Sequence, residues 1–324
     1  MITKGFILPG LPQPLLTPDA NPGYRKLRTA FEKVKAEIAN EKPDVLLIYS
    51  TMWPSILGHQ VQVKPTIEWT HVDEEFHDLG SIKYKFNMDH DLGMEIVAAG
   101  TKRGLQMKSV NYHGFPLDTG TVVALKLINP DNKIPSVILS SNIYSDRAET
   151  VVLAKACQDA LKLKNKKAIA IVISTLSNRL HQTFIDPKND HIHSLKDNEW
   201  NLKILEFFEK GRLEDVSQLS RQIHKEARVK KVNNFKPMWW LSSIMGAHNR
   251  YIGEILAYEA VCGTGSAVIG LTPTEHASRD LEFDEDAPEQ YTGDRNVLGQ
   301  NLSESSGFSS QTMNAGLEGD HEHQ

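Results

Sequence analysis

The sequence predicts an α/β protein. Three observations carry this: short apolar runs alternate with segments of helical spacing from the first residues to about Leu271, two of those runs lack the in/out alternation of a half-exposed strand, and no repeat or long linker interrupts them. A chain of 324 residues with 40% hydrophobic content can bury a sizeable core. One α/β domain over residues 1–271 is therefore expected.

The elements follow in order. Gly5 to Leu8 forms a short first strand ending in PGLPQP. Leu27, Phe31, Val34 and Ile38, spaced four, three and four, mark an amphipathic helix that Glu41-Lys42-Pro43-Asp44 breaks. Val45 to Ile48 then reads as a buried strand that stops abruptly at Ser-Thr-Met-Trp, delivering Met52 to the carboxyl-terminal sheet edge where α/β proteins place their chemistry. His90 to Lys102 is helical, and Gln106 to Val110 is a strand leading into NYHGFPLDTG. Thr121 to Ile128 is helical and Ser136 to Asn142 is a strand. Asp146 and Glu149 make a D-x-x-E capping box for a helix to about Leu163, followed by the apolar strand Ala168 to Ser174, expected to be covered on both faces. After the polar NDHIHSLKDNEW come helical patterns over about 201–210 and 213–229. A tryptophan-rich helix, MWWLSSIMGAH, and the close CGTGSAVIGL follow.

Charge divides the chain. Residues 272–324 carry 12 of the 41 acidic residues but 2 of the 36 basic ones, which leaves the preceding chain at about +5 and this segment at about −10. Its Ser, Gly, Asn, Asp and Glu content predicts a disordered acidic tail, because so little apolar surface cannot offset the entropy of ordering. His321 and His323 within it make at best a weak metal site.

Several function classes are disfavoured. The two cysteines, Cys157 and Cys262, have no CxxC or zinc-finger spacing, which argues for a reducing compartment and against disulfide scaffolding. The first residues, broken by Gly5, Gly10 and prolines, predict neither a signal peptide nor a membrane span, so a cytoplasmic protein is expected. There is no P-loop, G-x-S-x-G elbow or HExxH, and Gly263-Thr264-Gly265 reads as a turn before a terminal strand. Basic residues are scattered without aromatic interleaving, so no nucleic acid is expected to bind.

Thirteen histidines are generous for this length. His71 with Asp73, Glu74 and Glu75 resembles an oxygen-rich ligand set but reads as a solvated face. His191 and His193 at i, i+2 would need a third ligand from elsewhere to hold a metal. His113, at a strand end near Asp118, is a candidate general base or a hydrogen-bonded pair.

Taken together, FILPGLPQPLL, KPDVLLIYSTMW, HVDEEFHDLGSIKYKF, VNYHGFPLDTGT, HKEARVKK and WWLSSIMGA resemble the class III extradiol ring-cleavage dioxygenases, and within them the non-catalytic α subunits of aminophenol-cleaving members. The likeness covers essentially residues 1–271. It implies a central mixed or mostly parallel sheet flanked by helices. Catalytic members hold non-haem Fe(II) with two histidines and a glutamate, leaving neighbouring positions for substrate and dioxygen. Here the first histidine's place falls at Pro9-Gly10-Leu11 and the second's at Met52 before Trp53. The glutamate's place falls near Lys230, with Glu226 the nearest carboxylate, and an acid/base histidine corresponds to Asn178.

The resemblance thus implies a degenerate pocket of Gly10, Met52, His113, Asp118, Asn178 and Lys230, with no catalytic, cofactor-binding or metal residue. It implies a subunit without a cofactor of its own, paired in an α2β2 assembly with a catalytic β subunit that carries the Fe(II). The exposed side of Met238-Trp239-Trp240 is a candidate interface, and internal core is at least as good a reading of the same residues. Two other readings compete. One is an active dioxygenase with an unconventional ligand set from His59, His113, His181 and Glu254. The other is an aromatic-ligand binding protein that uses the emptied pocket.

Overall fold

Strand β1 (Ile2–Leu8) runs through the centre of an eight-stranded mixed sheet, because its neighbours on both sides are apolar strands with no face left for water. The computed structural model describes residues 1–177, 185–212, 235–245 and 250–275. The other sheet members are β2 (Val45–Ser55), β3 (His59–Gln62), β6 (Met107–Val110), β7 (Ser136–Asn142), β8 (Ala168–Ile173), β9 (Tyr251–Val261) and β10 (Thr264–Pro273). Their order is β6-β3-β7-β2-β8-β1-β10-β9. β7, β2, β8 and β1 are mutually parallel, whereas β3 runs against β7, β10 against β1 and β9 against β10. A separate hairpin pairs β4 (Thr66–Val72) with β5 (Ser81–Asn87).

Helices cover both faces. On one side lie α1 (Gln13–Leu16), α2 (Pro22–Glu41) and α4 (Thr119–Ile128), and on the other α3 (His90–Lys102), α5 (Arg147–Leu163), α6 (Leu195–Glu209) and α7 (Lys236–Met245). The helix signals in the sequence work as their chemistry requires. Asn21 accepts from Gly23 N to cap α2, whose buried stripe holds Tyr24, Leu27, Phe31, Val34 and Ile38, and Lys42 ends it in the left-handed region at φ 49°. Each such side chain contributes roughly 1.5–3 kcal/mol by leaving water. Asp146 caps α5 by accepting from Glu149 N.

Three expectations need correction. β2 does not stop at Ile48: it runs to Ser55, with β7 pairing Ser50 to Ser140 and then Pro54 to Ser141, so residues 51–53 bulge out of the ladder. Met238, Trp239 and Trp240 are 4, 9 and 0% exposed, and Trp240 stacks on Tyr49 with centroids 5.4 Å apart. They are core, not interface. The chain between residues 250 and 261, unassigned in the sequence, is the edge strand β9. The helical pattern expected over 213–229 lies outside the described residues.

The turn before the terminal strand is a two-residue hairpin loop at Cys262 (φ 51°) and Gly263 (φ 75°), the double positive φ that such a loop demands. The Asp190 carboxylate holds it by accepting from both of their backbone amides and from the Tyr24 hydroxyl. Cys157 and Cys262 are free and buried, and among the described residues no helix is long and apolar enough to cross a membrane.

Candidate functional site

The carboxyl-terminal ends of β1, β2 and β8 and the amino terminus of α4 meet on the α2/α4 face. Gly10 follows β1, and Met52 is the middle residue of the β2 bulge. The two are in contact: a β-carbon on Gly10 would run into Met52 Sδ, and would also lie 2.7 Å from Gly120 Cα and 2.9 Å from Ile173 Cγ2. Gly120, in the first turn of α4, is equally confined, since a β-carbon there would meet Met52 Sδ at 2.6 Å. The thioether thus fills a space walled by two glycines and Ile173. Gly120 is a member of this group that sequence reasoning missed, although its place just after the capping Asp118 marked a close backbone approach.

Asp118 ties together the elements that build the site. Its carboxylate caps α4 by accepting from Thr121 N at 2.9 Å and Thr121 Oγ1 at 2.7 Å, and accepts from Ser50 Oγ at 2.9 Å. Ser50 Oγ in turn accepts from Met52 N at 3.2 Å, so the bulge is tied to the helix cap. Burial pushes the Asp118 carboxyl up, against the four hydrogen bonds that favour its charged form. The expected pairing of Asp118 with His113 is therefore corrected. His113 is exposed in the loop before α4, and the carboxylate's partners lie elsewhere.

A second arrangement caps the same helix end. Thr119 Oγ1 donates to Asp73 Oδ2, and His71 Nε2 lies 2.7 Å from that hydroxyl. The single threonine proton goes to the carboxylate, so His71 donates from Nε2. Asp73 also accepts from Glu75 N and Phe76 N through its other oxygen. The reading of this acidic stretch as a solvated face holds for Glu74 and Glu75 and fails for Asp73, which orders the loop onto α4. Trp53 packs near Phe115, centroids 5.9 Å apart, at the outer side of the bulge.

The alternative ligand set is dispersed. His59 begins β3 and Glu254 lies exposed on β9, six places apart in the sheet, which is roughly 29 Å at the usual strand spacing. His59 is 2% exposed, neither ring nitrogen has a hydrogen-bond partner among the described residues, and burial followed by the nearby Lys236 charge pushes its pKa down to about 4. A cation beside it would meet Lys236, itself lowered to about 8 by burial against the pull of Asp146 and Glu149. Nor do the loop histidines pinch a metal: His191 Nδ1 lies 2.8 Å from Asn189 O. Asn178, His181, Glu226, Lys230, His321 and His323 lie outside the described residues. Among the described ones, no three His, Cys, Asp or Glu side chains are grouped to hold a metal ion.

Comparison with known proteins decides the family. Residues 11–270 match the family described as the catalytic LigB subunit of aromatic ring-opening dioxygenase. The chain belongs to the LigB family. Two curated relatives come from a Pseudomonas species. The 2-aminophenol 1,6-dioxygenase alpha subunit is 30% identical over 269 residues, spanning 83% of this chain and 98% of that one. The beta subunit of the same enzyme is 30% identical over 286 residues, spanning 83% and 93%. The crystal structure of an uncharacterized protein from Escherichia coli K12 superposes with a TM-score of 0.61, covering 83% of this chain and 99% of that one. At 14% identity it shows the fold alone.

Proposed function

We propose that this LigB-family chain is a non-catalytic, α-type subunit that supports a catalytic β-type subunit in opening an aminophenol- or catechol-type ring. Overall identity does not choose between the two subunit types, since both relatives stand at 30%. The observation that carries the reading is the contact between Gly10 and Met52. These are the places where the resemblance sets the two iron-binding histidines of catalytic members. Here one has no side chain and the other fills the gap with a thioether.

These residues do not fit an Fe(II) ion of the two-histidine, one-carboxylate kind. A thioether is a soft donor poorly matched to that ion, glycine offers none, and the close packing of Met52 on Gly10, Gly120 and Ile173 leaves no imidazole-sized space. By the resemblance the family's carboxylate falls near residue 230 in the sequence, where the chain has a lysine and Glu226 is the nearest carboxylate. Fe(II) would then reside in the partner; the naming of the relatives as alpha and beta subunits supports a two-subunit pairing, for which we propose an α2β2 assembly.

The test is co-expression with a β-type partner. Ring cleavage is expected from the co-purified pair and from no preparation of this chain alone, and replacing an iron-binding histidine in the partner is expected to abolish it. Turnover that survives that replacement would overturn the reading.

A further inference from the structure

Strand β9 is the outermost member of the large sheet and pairs with β10 along one edge. Among the described residues no strand pairs with its other edge. Both of its faces are occupied. Ile255 and Tyr258 pack on the α6 side, where the Tyr258 hydroxyl donates to Asn198 Oδ1 at 2.9 Å. Leu256 and Ala257 pack on the α2 side, where Lys26 Nζ donates to Glu259 Oε1 at 2.7 Å. Residues 255–260 are nonetheless all partly exposed, so what meets water is the strand's outer rim with its backbone N–H and C=O groups.

Such a rim is a template for a further strand unless Lys, Pro or short length blunts it, and β9 has eleven residues with neither Lys nor Pro. Its one irregularity is a bulge at Leu256, with regular pairing to β10 on either side. Apolar side chains border the rim. Ile252 is 61% exposed on the strand itself. Leu195 and Leu202, three residues before and four after Asn198 and so on its side of α6, are 84 and 50% exposed. Charge does not oppose a neighbour, because Lys26 pairs with Glu259 and leaves Glu254 as the strand's other carboxylate.

We infer that β9 pairs antiparallel with β9 of a second copy of this chain, joining two eight-stranded sheets across a two-fold axis. A helix satisfies its own backbone groups, so only another strand edge answers the unpaired ones of this rim. An antiparallel pairing about a two-fold axis is self-complementary, so each copy supplies the matching edge to the other. The footprint is adequate: eleven residues span about 37 Å, and the rim with a helix flank on each face is about 20 Å wide, which gives about 700 Å² per chain against roughly 800 Å² in a standard interface. The inference concerns this chain alone and does not rest on the subunit reading.

The test is sedimentation velocity on the isolated full chain over a dilution series, with amide hydrogen exchange read at the same concentrations. A dimer is expected at micromolar concentrations, and alternate amides between Ile252 and Val261 are expected to lose protection as it dissociates. Ile252→Lys/Leu202→Lys, altered at two exposed positions, is expected to weaken the dimer about tenfold or more with an unchanged far-ultraviolet spectrum. A monomer throughout, a dimer indifferent to these substitutions, or concentration-dependent protection that falls outside β9 would overturn the inference. Protection of β9 that appears only when a β-type partner is added would overturn it as well.

Discussion

The sulfur of Met52 stands where a side chain at residue 10 would begin. Gly10→Ala is accordingly expected to lower stability by about 1–3 kcal/mol, the usual cost of overpacking a closed core. Met52→Ala should recover part of that loss, with Gly120 and Ile173 limiting the relief. Urea unfolding of the four members of the cycle gives the coupling, expected at about 1 kcal/mol or more. Strict additivity would show that the two positions do not touch.

Met52→His is expected to create no ring cleavage. One imidazole restored beside Gly10 leaves the other places without donors, so the iron still has no ligand set to hold it. Oxygen uptake with catechol or 2-aminophenol is the measurement, and turnover by this single variant would speak against the account.

His59 predicts an acid-sensitive fold. Its folded-state pKa is depressed to about 4 from 6.5, so the unfolded chain binds the extra proton between those values. Stability is fully present above about pH 6.5 and is lost as pH falls toward 4, by about 3 kcal/mol from this group. Lys236, the cation facing it, titrates in a different window, between about 8 and 10.5. His59→Leu should flatten the acid limb of the stability profile measured by urea unfolding from pH 4 to 7. An unchanged limb would show that the imidazole is solvated.

Asp190 joins elements far apart in sequence, accepting from Tyr24 OH at 2.7 Å, Gly263 N at 2.7 Å and Cys262 N. Asp190→Ala should cost about 2–4 kcal/mol, because three donors lose a charged acceptor at once. Amide hydrogen exchange at Cys262 and Gly263 should rise with it. Unaltered exchange there would mean that the turn holds itself.

The parallel core was legible because its signals are local. Unbroken apolar runs give β2 and β8, the 3.6-residue stripe gives α2, and Asp146 with Glu149 marks the start of α5. The strands that were missed are either short, like β3, or hidden in a polar stretch. The run Ser81-Ile82-Lys83-Tyr84-Lys85-Phe86 alternates cleanly and its burial follows suit, so β5 was present in the pattern. β9 has only exposed or partly buried residues between its buried ends, as suits an edge, and gave no clear period. At the site, the approach of Gly10 to Met52 was foreshadowed by the family resemblance, since two strand ends far apart in the chain carry no mutual signal. The roles of Gly120, Thr119 and Asp73 depended on how α4 docks, and charge alone misplaced Asp73 on the solvated surface.

The most direct test is an equilibrium titration of the isolated chain with Fe(II) under anaerobic conditions. The account predicts retention of well under one equivalent after desalting and no cleavage of catechol or 2-aminophenol on admitting oxygen. One tightly held equivalent of iron accompanied by ring-cleavage turnover would contradict it.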